Sequence, residues 1–311
     1  MKQDANKLHQ LAAAIRDNYR QYSPGLYAKL YEYARLMRLD KPIGIFLLGW
    51  PTLWALWLSA DGLPAISTVS TFVAGVILMR SAGCVINDFA DRDIDPLVER
   101  TKDRPLAAGR VTSREALILF AVLVSLAFGL VLLLNELVLY LSIGALVSAA
   151  SYPFMKRFTY IPQAFLGIAF AWAIPMAWAA QTNSVPPVSW LLFIIVILWA
   201  MAYDTMYAMA DREDDIRIGV KSTAILFGEA DKIIIGGIQL SVLAGLLMLG
   251  QQLNLGMAYH ASLGIAALLN VYQQYLIRDR KPSACFAAFL NNNWFGFVIF
   301  TGIVADHYFQ A

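Results

Sequence analysis

The chain has 311 residues, of which 59% are hydrophobic and only 15% are charged, and its formal net charge is +2. A soluble domain carries about a quarter charged residues, so this composition excludes an ordinary soluble protein and is typical of a polytopic membrane protein. The small net charge argues against a nucleic-acid partner, and nothing in the sequence points to an obligate protein partner. Cys84 and Cys285 lie in apolar segments and predict neither a disulfide framework nor a metal site.

Residues 1–38 form a polar segment without the apolar core and cleavage site of a signal peptide. We expect either a tail or an amphipathic surface helix over residues 7–22. Residues 39–311 are expected to form a single transmembrane domain, in which each apolar segment is about as long as a membrane-crossing helix. The predicted fold is therefore an all-α bundle of nine transmembrane helices, at roughly 42–60, 66–86, 115–134, 137–154, 161–180, 188–209, 233–250, 256–276 and 284–305.

Lysine and arginine are distributed asymmetrically among the loops between these spans. All 24 lie in the N-terminal segment or in the loops after even-numbered spans and at their flanks, and the remaining loops and the C-terminal tail hold none. By the positive-inside rule the N-terminus is cytoplasmic and the C-terminus lies on the far side of the membrane. A wrong number of spans would mix the two sets of loops, so this distribution supports nine.

A first acidic cluster follows the second span and contains Asn87, Asp88, Asp91, Asp93 and Asp95. If the helix continues, residues 87, 91 and 95 share one face, with Asp88 beside them. Oxygen groups arranged in this way repel one another unless a positive charge lies in front of them. Their hard-oxygen composition favours magnesium over zinc or copper.

A second acidic cluster follows the sixth span, with Asp204, Asp211 and Asp215 at helical spacing. Charged loops between spans are commonly just solvated. Two acidic clusters on the same side of the membrane instead favour a functional site, because ionisable groups at the membrane boundary are functional by default. Divalent ions could bridge the clusters to a diphosphate, and basic residues follow each cluster to complete a clamp: Arg100, Lys102, Arg104, Arg212 and Lys221.

Such a site suits an allylic diphosphate whose hydrocarbon tail lies between the helices. When the allylic C–O bond breaks, metal and cations stabilise the departing diphosphate, and aromatic faces stabilise the carbon left behind. Tyr203 and Tyr207, one turn apart beside the second cluster, are candidates for that second role. The alternative for either tyrosine is ordinary core packing or a place in an interfacial belt.

These motifs together resemble the UbiA family of intramembrane prenyltransferases, over about residues 35 to 300. The stretches YPFMKR and AYDTMYAMADREDD resemble the branch of the family that acts on 4-hydroxybenzoate. The resemblance rests on RLDKPIG at 38–44, GCVINDFADRDID at 83–95, Arg100-Thr101, RPL at 104–106, YPFMKR at 152–157, AYDTMYAMADREDD at 202–215, GVKST at 219–223, Cys285-Phe286 and NNN at 291–293.

The resemblance implies a multi-pass enzyme of the bacterial inner membrane with its active site on the cytoplasmic side. It implies magnesium-dependent transfer of a polyprenyl group from polyprenyl diphosphate to the ring carbon of 4-hydroxybenzoate ortho to the hydroxyl, with membrane lipid around the tail. Asp211 or Asp204 would polarise the phenol hydroxyl. Magnesium would be held by Asn87, Asp91, Asp211 and Asp215, supported by Asp88 and Asp95, and diphosphate by Lys102, Arg104 and Lys221.

Arg157 is the candidate partner for the carboxylate of the aromatic acid, and its alternative is an ordinary positive-inside anchor. Three other functions remain open from the sequence. The first is a relative with a different acceptor, such as a naphthoate or a haem, although Arg157 in its YPFMKR context favours a small carboxylated aromatic. The second is a transporter, whose acids would lie near the midplane on broken helices rather than at one boundary. The third is a structural bundle, which leaves the two clusters unexplained.

Overall fold

The computed structural model describes residues 24–60, 63–98 and 100–310, and the regular elements within those ranges are all helical. The surface helix expected over residues 7–22 lies outside the described residues. Short 3-10 turns occur at Asp95–Leu97 and Gly228–Ala230. The α-helices are α1 Pro24–Leu36, α2 Ile43–Ser59, α3 Ile66–Ala90, α4 Ser113–Val131, α5 Glu136–Phe158, α6 Pro162–Ala171, α7 Ala173–Thr182, α8 Pro187–Ile218, α9 Thr223–Phe227, α10 Asp231–Gln252, α11 Met257–Ile277 and α12 Pro282–Gln310.

Every predicted span overlaps helix in the described part of the chain. Seven stretches, each a helix or a joined helix pair, are long and apolar enough to cross a membrane, which identifies a multi-pass membrane protein. The helix α2 is apolar but has only 17 residues, and α11 is not among the seven. The full count of nine spans, the cytoplasmic N-terminus and the division at residue 38 stay predictions.

The fifth predicted span is divided into α6 and α7 at Trp172. Pro175 lies just inside α7 and has no backbone N–H to donate to Ala171, so the helical ladder is interrupted there. The sixth predicted span instead continues beyond residue 209 as α8, which ends at Ile218 because Gly219 adopts a left-handed φ of 76°. The second acidic cluster therefore lies on one uninterrupted helix.

The predicted helical face through Asp95 is wrong. The helix α3 ends at Ala90, and Asp91 caps it by donating its backbone N–H to the Asn87 carbonyl oxygen at 2.9 Å. Pro96 follows in the 3-10 turn, where it limits the backbone to a short helical segment. Only Asn87 and Asp91 keep the expected spacing, and Asp95 is positioned by the loop rather than by the helix.

The tightly packed half of the bundle is built around α12, on which three consecutive asparagines bind three different helices. Trp50 on α2 donates to Asn293 at 2.9 Å, and Trp199 on α8 donates to Asn292 at 2.9 Å. Gln273 on α11 donates to the Asn291 oxygen at 3.0 Å. Inside a membrane such side-chain hydrogen bonds hold helices together where the hydrophobic effect cannot.

The other half is more open, and it contains α4 and α5. Only 17% of the most apolar window of α4 and 11% of that of α5 are buried, compared with 50% for α8. These two helices therefore present most of their surface to lipid. They also form one side of a large cavity beside α3 and α6, which contains the residues of interest.

Candidate active site

A cavity of about 1280 Å³ has strongly polar and strongly apolar parts. Side chains of both acidic clusters line the polar part. The apolar part is formed by side chains from four different helices, among them Leu48, Phe72, Val76, Phe128 and Phe170. A ligand that fills this cavity has to combine an anionic or metal-binding head with a long hydrocarbon body.

The first cluster is fixed by a buried chain of alternating charges. Asp88, whose side chain is 2% exposed, accepts two hydrogen bonds from Arg38 at 2.9 Å and one from Arg104 at 3.1 Å. Arg104 also donates to Asp95 at 2.9 Å. Burial alone would lower the pKa of Arg104, but Asp88 and Asp95 outweigh this effect and raise it above its usual value. Asp88 and Asp95 are thus occupied by two permanently charged guanidinium groups.

Asn87 and Asp91 remain oriented towards the cavity. The Asn87 amide donates to Asp91 Oδ2 at 3.3 Å, and Lys156 from the end of α5 forms an ion pair with the same oxygen. Burial raises the pKa of the Asp91 carboxyl, and the nearby Lys156 ammonium opposes this rise. The other oxygen, Oδ1, is buried without a hydrogen-bond partner among the described residues, which is costly unless another ligand satisfies it.

The second cluster takes its geometry from α8. Asp204, Asp211 and Asp215 all line the cavity, whereas Asp214 pairs with Arg217 on the same helix. Arg100, from the loop after the first cluster, donates to Asp211 Oδ1 at 2.8 Å, and its guanidinium carbon lies 4.8 Å from the Tyr207 ring centroid. This contact ties the loop of one cluster to the helix of the other.

The donor set fits magnesium that is shared with an anion. Among the residues that the structure describes, no group of three acid, histidine or cysteine side chains is arranged to hold a metal on its own. Asn87, Asp91, Asp211 and Asp215 nevertheless line one cavity, and Asp91 Oδ1 needs a partner. Magnesium takes few protein ligands and completes its shell with phosphate oxygens, so this divided set of oxygens suits it.

Most of the residues predicted to form the site line the cavity, but three do not. Lys102 is exposed in the loop after the first cluster. Arg157 lies at the end of α5 and donates to the Ala90 carbonyl oxygen, and Tyr203 packs in the core against Trp199 and Phe289. The cavity is lined by Asn87, Asp88, Asp91, Asp95, Arg104, Asp204, Tyr207, Asp211, Asp215 and Lys221. The functional roles of all these residues stay predictions.

Arg80, to which the sequence pattern gave no role, also lines the cavity. Its Nη1 lies 3.1 Å from Cys84 Sγ, and its Nε is buried without a hydrogen-bond partner in the described chain. It had been counted only among the basic residues flanking the loop. One signal in the sequence could have identified Arg80, namely its position inside an apolar span. Burying an arginine there costs free energy, so an arginine at such a position is functional by default. Arg38 and Lys156 were likewise given no role, and both contact acids of the site. Arg100, which the sequence pattern named as part of the clamp, contacts Asp211.

Comparison with known proteins places this arrangement in context. The model of the UbiA prenyltransferase family matches residues 48–298. The sequence is 58% identical to a 4-hydroxybenzoate octaprenyltransferase of Hahella chejuensis over 91% of this chain and 94% of that one. It is 60% identical to a protein of the same name from Nitrosococcus oceani, over 91% of this chain and 99% of that one.

Two solved structures share the fold. A UbiA homolog from Aeropyrum pernix K1 superposes with a TM-score of 0.75 at 28% identity, over 85% of this chain and 97% of that one. A UbiA homolog from Archaeoglobus fulgidus, solved with GPP and Mg²⁺, superposes with a TM-score of 0.64 at 17% identity, over 86% of this chain and 99% of that one. At that lower identity the likeness concerns the fold alone.

Proposed function

The chain belongs to the UbiA prenyltransferase family, and on that premise we propose that it transfers a polyprenyl group from polyprenyl diphosphate to 4-hydroxybenzoate. The new bond forms at the ring carbon ortho to the hydroxyl, and diphosphate is released. One observation carries the proposal: both acidic clusters and their cations line one end of a cavity whose remaining walls are apolar. An anionic head and a prenyl tail need these two environments in one space.

The diphosphate head lies between the clusters in this proposal. Asn87 and Asp91 on one side and Asp211 and Asp215 on the other would hold magnesium, which neutralises the charge that develops on the leaving diphosphate. The chain supplies its own cations to the same oxygens. The cations that line the cavity include Arg38, Arg100, Arg104, Lys156 and Lys221. Guanidinium groups suit diphosphate because they donate two parallel hydrogen bonds.

The tail extends from the clusters into the apolar part of the cavity. When the allylic C–O bond breaks, both electrons leave with the diphosphate and C1 of the tail becomes electron-deficient. Tyr207, Phe286 and Phe289 line the cavity near the second cluster, and the ring centroids of Tyr207 and Phe289 are 5.0 Å apart. Their negative ring faces stabilise the cation without supplying a nucleophile that would capture it.

The acceptor needs a cation for its carboxylate and a base for its phenol. Arg80 and Asp204 interact electrostatically, and each lies seven residues before a proposed metal ligand, Asn87 or Asp211. Arg80 suits the carboxylate because its buried Nε lacks a protein partner, and Asp204 suits the hydroxyl. As the ring carbon attacks C1, the C–C bond forms and the ring proton passes to a carboxylate. Arg157 remains the second candidate for the carboxylate contact.

We further propose that the site faces the cytoplasm from the inner membrane of a bacterium, because the clusters lie in the loops that carry the lysines and arginines. The test uses the purified chain in liposomes with polyprenyl diphosphate, 4-hydroxybenzoate and magnesium. A product with the mass of the prenylated acid, lost on chelation and restored by magnesium, is expected. Prenyl diphosphate left unchanged, or a product formed only with another aromatic acceptor, would contradict the proposal.

A further inference from the structure

A second pocket, of about 590 Å³, opens where α3 ends and α4 begins. Its lining includes Phe89, Arg92, Arg114, Leu117 and Ile118. It is separate from the large cavity and shares none of its lining residues. Both helices end here at a boundary of the membrane-spanning region, so the pocket lies at the level of the lipid headgroups.

The two arginines leave this pocket with an excess of positive charge. Arg92 donates to the Phe89 carbonyl oxygen at 3.0 Å, and its guanidinium carbon lies 4.7 Å from the Phe89 ring centroid. Its acidic neighbour is Asp93, 3.6 Å away and 78% exposed, which is a weak pairing. Arg114 is exposed and forms no ion pair or hydrogen bond with any described residue. The adjacent Glu115 is already bound by Lys29 at 2.8 Å.

The remaining wall of the pocket is apolar. Leu117 is 41% exposed and Ile118 is 55% exposed, and they follow Arg114 along the first turns of α4 towards the membrane interior. A free anion would gain nothing from this wall, whereas a molecule with a phosphate above and hydrocarbon below would contact both parts. Membrane phospholipids have this chemistry, and arginine at the interface attracts anionic headgroups.

We propose that this pocket binds the headgroup phosphate of an anionic membrane phospholipid through Arg92 and Arg114, with an acyl chain along Leu117 and Ile118. The bound lipid belongs to the leaflet on the side of the acidic clusters. It is not a substrate, because the pocket is separate from the large cavity. Each arginine at a membrane surface contributes about five-fold in affinity, so their joint removal should weaken binding ~25-fold.

The test is native mass spectrometry of the purified full-length chain titrated with phosphatidylglycerol or phosphatidylcholine of identical acyl chains. Wild type is expected to retain phosphatidylglycerol much better than phosphatidylcholine, and Arg92→Gln/Arg114→Gln should lose that preference. Arg114→Gln alone should weaken retention about five-fold, and it is the variant least able to disturb folding because no described residue binds Arg114. Leu117→Ala should weaken retention of both lipids.

The matched control is Arg278→Gln, since Arg278 is an exposed arginine at the end of α11 whose guanidinium lies 3.9 Å from the Tyr275 ring centroid. It should keep the lipid preference of wild type. An equal loss in this control would mean that general surface charge attracts the lipid, and the proposal would be wrong. Unchanged retention in the double variant, or displacement of phosphatidylglycerol by millimolar inorganic phosphate, would overturn it equally.

Discussion

The two acidic clusters have similar compositions, but they are fixed in place by different means. In the first, the helix ends within the cluster, and the acids beyond Asn87 are held by Arg38, Arg104 and Lys156. In the second, α8 continues for two turns past Asp211, and the helix itself sets the spacing of its acids. The first cluster depends on several tertiary ion pairs, whereas the second is positioned by the backbone hydrogen bonds of α8 and has one tertiary ion pair, between Arg100 and Asp211.

We expect this difference to separate supporting acids from metal-ligand acids. Asp88 and Asp95 are occupied by buried guanidinium groups, so their carboxylates maintain the shape of the first cluster and are poorly placed to bind a metal ion. Asp211 and Asp215 are positioned by α8 itself, and the guanidinium that pairs with Asp211 belongs to Arg100, whose side chain is 43% exposed. A buried charge that loses its partner is strongly destabilising, whereas a carboxylate lining a cavity can be neutralised at little cost to folding.

The largest effect is expected from Asp211→Asn in the second cluster. Removing a charge that is proposed to bind the metal should lower kcat on the order of a thousand-fold while the unfolding temperature stays close to that of wild type. Asp214→Asn is the control, because Asp214 lies on the same helix but pairs with Arg217. Turnover of labelled prenyl diphosphate measures both. Comparable activity in the two variants would contradict a ligand role for Asp211.

In the first cluster, Asp88→Asn should mainly reduce stability, whereas Asp211→Asn should mainly reduce activity. It weakens two buried charge pairs and should lower the free energy of unfolding by about 3 kcal/mol, measured by denaturation in detergent. The matched variant Asp204→Asn, which lines the same cavity in the second cluster, should unfold like wild type but lose activity. If Asp88→Asn instead folds normally and shows a raised magnesium requirement, Asp88 contributes to metal binding, as the family resemblance implied.

Two turns before the clusters, α3 carries Arg80 and α8 carries Asp204. Arg80→Gln should raise the KM for 4-hydroxybenzoate by about ten-fold or more, because a charge-assisted hydrogen bond contributes roughly 1.5–3 kcal/mol. The KM for prenyl diphosphate should change little. Arg157→Gln serves as the competing variant, since Arg157 binds the Ala90 carbonyl oxygen. A larger rise of the acceptor KM in Arg157→Gln would favour the original assignment.

The smallest expected effect concerns how α8 ends. Gly219→Ala places a side chain at a φ of 76° and should cost about 1 kcal/mol of unfolding free energy. Gly237→Ala, within α10 where an added Cβ would have no neighbour within 4 Å, is the control and should not destabilise. Equal stability of the two variants would mean that the second cluster does not depend on this helix end.

The sequence was sufficient to locate the helices, because long apolar segments and the positions of lysine and arginine are strong signals in a membrane protein. It also predicted that Asp204, Asp211 and Asp215 share a helix. It failed at Asp95, because α3 ends at Ala90 and Asp95 lies in the 3-10 turn that follows, where it pairs with Arg104. Helical spacing could not separate Tyr203 from Tyr207 either. They lie one turn apart, yet Tyr203 is buried in the core and Tyr207 lines the cavity.

Local spacing in the sequence was also insufficient to identify the cations that line the cavity. The family resemblance implied that Lys102, Arg104 and Lys221 bind diphosphate, but the fold places Arg104 and Lys221 at the cavity and Lys102 outside it. Lys156 and Arg38 reach the first cluster from α5 and from the turn after α1. Such contacts depend on how distant segments pack, which local spacing does not encode.

The central claim is that both clusters hold a single magnesium–diphosphate head, and a double-mutant cycle on binding tests it most directly. Calorimetry would measure the affinity for magnesium and geranyl diphosphate in wild type, Asp91→Asn, Asp211→Asn and the double variant. A shared site predicts that each single variant loses most of the affinity and that the double variant loses little more. Losses that simply add, or a variant that binds like wild type, would show that the two clusters act separately.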